Sequence, residues 1–177
     1  GEYEGKTIDF NNLTFVKARR AHKLQSGQVE SIYHFPGMET WKDVADRTAD
    51  FSKEVLEKHR GEHIVIVTHA DPLLTIKHFF NGEEPAKLVQ QPYPSFAQPL
   101  QFFWDHDTNR EMDLHKENID DVTWAAAHSK EHSVEAVLVR HGETDWNKAR
   151  KLQGCEIDES LNEKGREQIA LLGKKLK

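Results

Sequence analysis

Cysteine is almost absent from this chain: Cys155 is the single one in 177 residues. An internal disulfide framework and a cysteine-rich zinc site are therefore excluded, and a reducing, cytoplasmic setting is the expectation. No run of about 18 apolar residues occurs, which excludes a hydrophobic membrane-spanning helix and any membrane partner that depends on one. The first residues, Gly1 to Phe10, lack a basic region followed by an apolar stretch, so no signal peptide is expected. Basic charge is not in excess: 24 Lys and Arg face 30 Asp and Glu, for a net charge of −6. A general nucleic-acid coat needs clustered basic charge and is excluded on that ground. There is no internal repeat and no low-complexity tract. What is abundant is charge, 31% of residues, and histidine, 11 in all; hydrophobic residues make up 37%, enough to bury one core.

Periodicity locates the elements. Trp41, Val44, Ala45, Thr48, Phe51, Val55 and Leu56 recur at spacings of three and four, which predicts a helix from Thr40 to about Lys58–Arg60, closed by Gly61. Thr40 with Asp43 resembles a capping box. His63-Ile64-Val65-Ile66-Val67-Thr68 reads as a strand buried on both faces. A helix over Leu73–Phe80, stopped by Asn81-Gly82, follows. Pro92, Pro94, Pro99 and the aromatic run Phe102-Phe103-Trp104 suggest an irregular or β-rich connector over 90–133. Val134–Val139 reads as a second buried strand, and a last helix begins near Asn162. Strands alternating with helices predict an α/β domain with a largely parallel sheet, in which strands 64–67 and 136–139 are parallel neighbours.

Chemistry is expected at the strand ends. His69 follows the first strand and His141 the second, and open α/β sheets bind ligands at the carboxyl ends of their strands. Arg140 beside His141 is suited to bidentate contact with phosphate oxygens. A nucleophilic imidazole, a second imidazole and a guanidinium are the parts for phosphoryl transfer through a phosphohistidine. The two rings should then lie within one phosphate's reach, about 4–7 Å between nitrogens. The opposing interpretation is that each histidine is structural or on the surface.

The string Val139-Arg140-His141-Gly142-Glu143-Thr144-Asp145-Trp146-Asn147, followed by Gly154, Asp158, Leu161, Gly165 and Gln168, resembles the N-terminal signature of the histidine phosphatase (phosphoglycerate mutase-like) superfamily. Gly1–Thr7 resembles its mid-chain motif, Pro36–Thr40 with Arg47 its later helix start, and Val67-Thr68-His69-Ala70 its second-histidine motif. The resemblance implies a phosphoglycerate mutase-like three-layer sandwich with a mainly parallel sheet. It makes His141 the phosphorylated nucleophile and has Arg140 and His69 hold the phosphoryl oxygens. Asn147, Gly142, Thr144 and Ala70 are implied to line the substrate pocket. No metal or other cofactor is required, and the partner is a phosphorylated small molecule or phosphate. The motif order differs from the family's, since His69 precedes His141, so the chain reads as circularly permuted or incomplete. Residues 1–89 correspond to the C-terminal half, 134–177 to the N-terminal half, and 90–133 to a connector, together forming one domain. The family's second arginine and acid/base glutamate should fall between Lys177 and Gly1, and neither has a clear match. Glu2, Glu4 or Asp71 as acid and Arg19 or Arg20 as cation are the available substitutes, against the prevailing reading of each as a solvated surface charge.

Within the connector, Phe102–Asp105 and Met112–Val122 resemble a segment of isoleucyl-tRNA synthetases. That implies an accessory module of such a ligase, with tRNA a partner only through the parent synthetase. His106, Asp107, Asp113 and His115 are metal ligands by type, without a recognised spacing. The aromatic run reads as core or as a partner-binding face. Lys17–Arg20 reads as a solvated basic turn or a phosphate patch, and Cys155 as inert.

Overall fold

The computed structural model describes residues 7, 39, 41–82, 91–107, 109–112, 133–151, 153 and 157–176. The motif residues 1–6, 36–38, 40 and 154, the substitutes Glu2, Glu4, Arg19 and Arg20, the basic stretch 17–20, Asp113, His115 and Cys155 lie outside them.

Helix α1 (Trp41–Lys58) buries Val44, Thr48, Ser52 and Leu56, the stripe its 3.6-residue period dictates. Gly61, at φ +76°, turns the chain into β1 (His63–Thr68). Helix α2 (Ala70–Asn81) begins three residues earlier than the sequence predicts, because Pro72 sits in its first turn, where its missing N–H costs nothing. Gly82 closes it in the left-handed conformation at φ +62°. The connector supplies β2 (Pro99–Asp105) and β3 (Arg110–Met112). β4 (Ser133–Arg140), a single-turn helix α3 (Asp145–Lys148) and α4 (Glu163–Lys175) complete the order.

The strands form one sheet in the order β1-β4-β2-β3. The expected neighbours are there: β1 and β4 run parallel, with Ile64 beside Ala136 and Thr68 beside Arg140. The expectation of a mainly parallel sheet does not hold among the described strands, since β2 is antiparallel to both β4 and β3. The reason is where β2 starts. Pro99 pairs with Val139, so the chain returns to the carboxyl end of β4 before β2 runs back down the sheet.

One core lies between the sheet and helices α1 and α2: Leu56, Leu73, Ile76, Phe80, Phe102, Trp104, Val134, Ala136 and Leu138. The aromatic run is thus partly core, with Trp104 stacked on Phe79 at 5.6 Å. Thr48 and Thr75 join α1 to α2 through a 2.8 Å hydroxyl bond. On the opposite face Val137 and Val139 pack against Leu172 of α4. β4 is therefore buried on both faces, as its sequence suggests. β1 is not: Ile64 and Ile66 meet the first core, whereas Val65 and Val67 are 54% and 60% exposed. The cluster that α4 forms takes in β4 valines and none from β1.

Candidate active site

Register builds the site. Because Thr68 sits beside Arg140 in a parallel pair, the next residues, His69 and His141, leave the sheet together. The His141 N–H donates to the Thr68 carbonyl at 2.9 Å, extending the pairing one step past the strands. The two imidazoles end edge to face with ring centroids 4.9 Å apart. His69 is also the residue before α2, and its side chain makes no capping bond there. Ala70 is the first residue of that helix, whose N-terminal end carries partial positive charge.

His141 is half-buried, and its Nδ1 lies 2.7 Å from the Gly142 carbonyl oxygen. A carbonyl only accepts, so Nδ1 carries the proton and Nε2 keeps its lone pair. Burial pushes the His141 pKa below the ordinary imidazole value, and the charges of His69 and Arg140 add to this, against the opposing effect of the Gly142 bond.

Arg140 is half-buried. Its Nη1 donates to the Pro94 carbonyl at 3.0 Å, and its Cζ lies 3.9 Å from the Phe96 ring centroid. Its Nε is buried with no hydrogen-bond partner among the described residues. Burial works against its charge, while Tyr93 and Asp71 favour it. Phe96 also lies 5.7 Å from the His141 ring. Sequence reasoning missed Pro94 and Phe96 by assigning 90–133 to a connector. The signal available was the pair Pro92 and Pro94 just ahead of a strand, which marks a constrained loop.

The loop after His141 is held from α4. A Cβ on Gly142 would lie 2.6 Å from the Gly165 carbonyl oxygen, so the two backbones touch where neither residue has a side chain. Gln168 Oε1 accepts from the Glu143 N–H at 2.9 Å, and Lys164 and Asn162 bond the Glu143 carboxylate, holding its pKa below the usual range. Thr144 is 1% exposed and forms a capping box with Asn147: Oγ1 accepts from the Asn147 N–H at 3.1 Å, and Asn147 Oδ1 accepts from the Thr144 N–H. Both were expected in the substrate pocket, and the structure commits these two side-chain oxygens to the cap.

Three further motif residues meet partners. Glu39 and Arg47 form a two-pronged ion pair at 2.5 and 2.9 Å. Thr7 bridges to Lys151, just past α3. His106 lies 4.0 Å from Glu57, and among the described residues no three His, Cys, Asp or Glu side chains gather as a metal-binding group. No helix among the described residues is long and apolar enough to cross a membrane.

A sequence profile for the histidine phosphatase superfamily (branch 1) matches residues 1–97 and 136–177. Among individual proteins, phosphoglycerate mutase-like protein 4 of Arabidopsis thaliana is 50% identical over 42 residues, 24% of this chain and 18% of that protein. The probable phosphoglycerate mutase GpmB of Erwinia tasmaniensis is 46% identical over 44 residues, 25% of this chain and 20% of the relative. The metal-independent phosphoserine phosphatase of Arabidopsis thaliana is 50% identical over 42 residues, 24% of this chain and 17% of the relative. The chain thus matches a fifth or less of each relative's length, and no solved structure matches it. With more than half its length covered by the profile, this chain belongs to the histidine phosphatase superfamily, branch 1.

Proposed function

We propose that the chain binds the phosphoryl group of a phosphorylated small molecule between His69, His141 and Arg140, and that His141 Nε2 is the nucleophile. The observation that carries this is the histidine pair, 4.9 Å apart, with His141 held in the Nδ1–H form. The Nε2 lone pair forms the N–P bond while the P–O ester bond breaks and its electrons leave with the alcohol oxygen, which takes a proton. Water then attacks the phosphohistidine, releasing phosphate and the free imidazole. Arg140 and His69 stabilise the equatorial oxygens.

The family's second arginine and acid/base glutamate have no clear match within these 177 residues, and Asp71, in the first turn of α2, is the described carboxylate available as a substitute acid. A protein lacking both groups would turn over slowly. Each loss costs about 3 kcal/mol of transition-state stabilisation, or about two orders of magnitude in rate. The same proposal takes the chain as a permuted or incomplete three-layer sandwich in a reducing, cytoplasmic setting. Helices on both sheet faces and the motif order support the first, and the single cysteine the second.

A second reading is favoured by one observation: residues 98–135 fall outside the family match. It makes the chain an accessory module, with that segment related to isoleucyl-tRNA synthetases, binding a partner or tRNA without turnover. An aryl phosphate separates the two. Release of the phenol by wild type and its loss in His141→Ala support the enzyme. Equal, flat baselines, together with no rise in melting temperature in millimolar phosphate, support the module, because a ligand of the native state must raise it.

A further inference from the structure

In the proposed site Arg140 is the anion-binding group, yet nothing in its own strand holds its side chain. Beside the charges of Tyr93 and Asp71, its hydrogen bond and ring contact come from residues 94–97, which the antiparallel run of β2 delivers to the carboxyl end of β4. The Pro94 carbonyl takes Nη1 at 3.0 Å, and the Phe96 ring covers the guanidinium at 3.9 Å. The Ala97 N–H donates to the Arg140 backbone carbonyl at 2.9 Å, and Ala97 takes φ +53°, bending the segment over the site. The same Phe96 ring stands 5.7 Å from His141.

We propose that Phe96 is a positioning residue for phosphate recognition: with the Pro94 carbonyl it fixes the Arg140 guanidinium so that Nε, the buried donor without a partner, is left for an anion oxygen. This inference rests on the phosphoryl-binding reading of the site and deepens it. A long, flexible guanidinium samples many orientations, and a ring on one side with a carbonyl on one nitrogen removes most of them. The ring keeps water off that side of the charge, so an anion meets a fixed donor in a partly desolvated pocket. Phe96 touches neither the reacting phosphorus nor its oxygens; it acts through Arg140.

The test uses the full chain, inorganic phosphate as probe, and the variants Phe96→Leu and Phe96→Trp. Two quantities are read: the phosphate Kd, and the Arg140 Nε–H proton resonance, which a ring stacked on the guanidinium displaces upfield. The expected result is a phosphate Kd about fivefold weaker in Phe96→Leu, the range a partly buried cation–π contact spans, with the resonance moving downfield. Phe96→Trp should restore both. A Leu variant with unchanged melting temperature, unchanged Kd and an unmoved resonance overturns the inference. A wild type that shows the ring-shifted resonance but binds no phosphate overturns the phosphoryl-binding reading instead, and the two failures are thereby distinct.

Discussion

At His141 the proton on Nδ1 is assigned by its neighbour, since the Gly142 carbonyl has nothing to donate. Burial lowers the pKa of the imidazole. The folded state thus prefers the neutral ring, and the unfolded chain takes up the proton first as pH falls. The contribution of this group to stability is full above the unfolded imidazole value and is lost as pH drops toward the lower folded value. A titration of the ring carbon protons by NMR should place the His141 midpoint below the ordinary imidazole range; a midpoint at or above it contradicts the buried, neutral nucleophile. Two glycines of α4 give a matched pair of substitutions. A Cβ on Gly165 would lie 2.1 Å from the Glu143 carbonyl oxygen, whereas one on Gly173 meets nothing within 4 Å. Both lie in α4, where alanine outranks glycine by roughly 0.5–1 kcal/mol. Gly173→Ala should therefore gain about that much in urea unfolding. Gly165→Ala should instead lose about 1–3 kcal/mol, because a backbone contact must give way and that outweighs the helix preference. It should also weaken phosphate binding by displacing the 142–143 loop.

The two parallel strands show how much of an element is legible. Ile64–Val67 and Ala136–Val139 carry the same kind of apolar run, and pattern alone gives both the same environment. Their pairing and direction were readable, as were α1, the glycine stops at Gly61 and Gly82 and the start of α4 at Asn162, because each rests on local periodicity or a cap. Burial on the second face was not readable, since it depends on which strand α4 lies across. The histidine pair was legible for the same local reason: both residues directly follow a strand. The role of 94–97 was hidden because it follows from β2 running antiparallel, a choice made by long-range pairing. Unfolding measurements should resolve the two strands. Leu138→Ala, at 0% exposure, should cost about 2–5 kcal/mol, and Val67→Ala, at 60% exposure, about 0.5 kcal/mol or less. Similar losses at both positions would mean that β1 is covered in solution.

Across the whole molecule, one sheet joins β1 from the N-terminal block, β2 and β3 from the middle segment and β4 from the C-terminal block. The motif pieces that are far apart in sequence meet through it, which is how His69 and His141 come to share one mouth. The same sheet leaves β1 with a neighbour on only one side among the described residues, and beside it runs a shallow groove of about 460 Å³ lined by Phe51, Val55 and Ile64–Val67, with His59 and Glu62 at its polar end. Phe51 is 42% exposed there, next to the two open valines. No lysine or proline interrupts this strand, the devices by which natural edges discourage pairing. A net charge of −6 opposes association, and salt screens that repulsion. Concentrated solutions should therefore turn turbid as sodium chloride rises, and Val65→Lys should keep them clear by light scattering; wild type that stays clear at every salt concentration contradicts this. Should that turbidity be seen, the shelf life of the protein would be set by its stickiest strand, and dilution, low-salt buffer or a single charged graft would preserve it longer than any strengthening of its core.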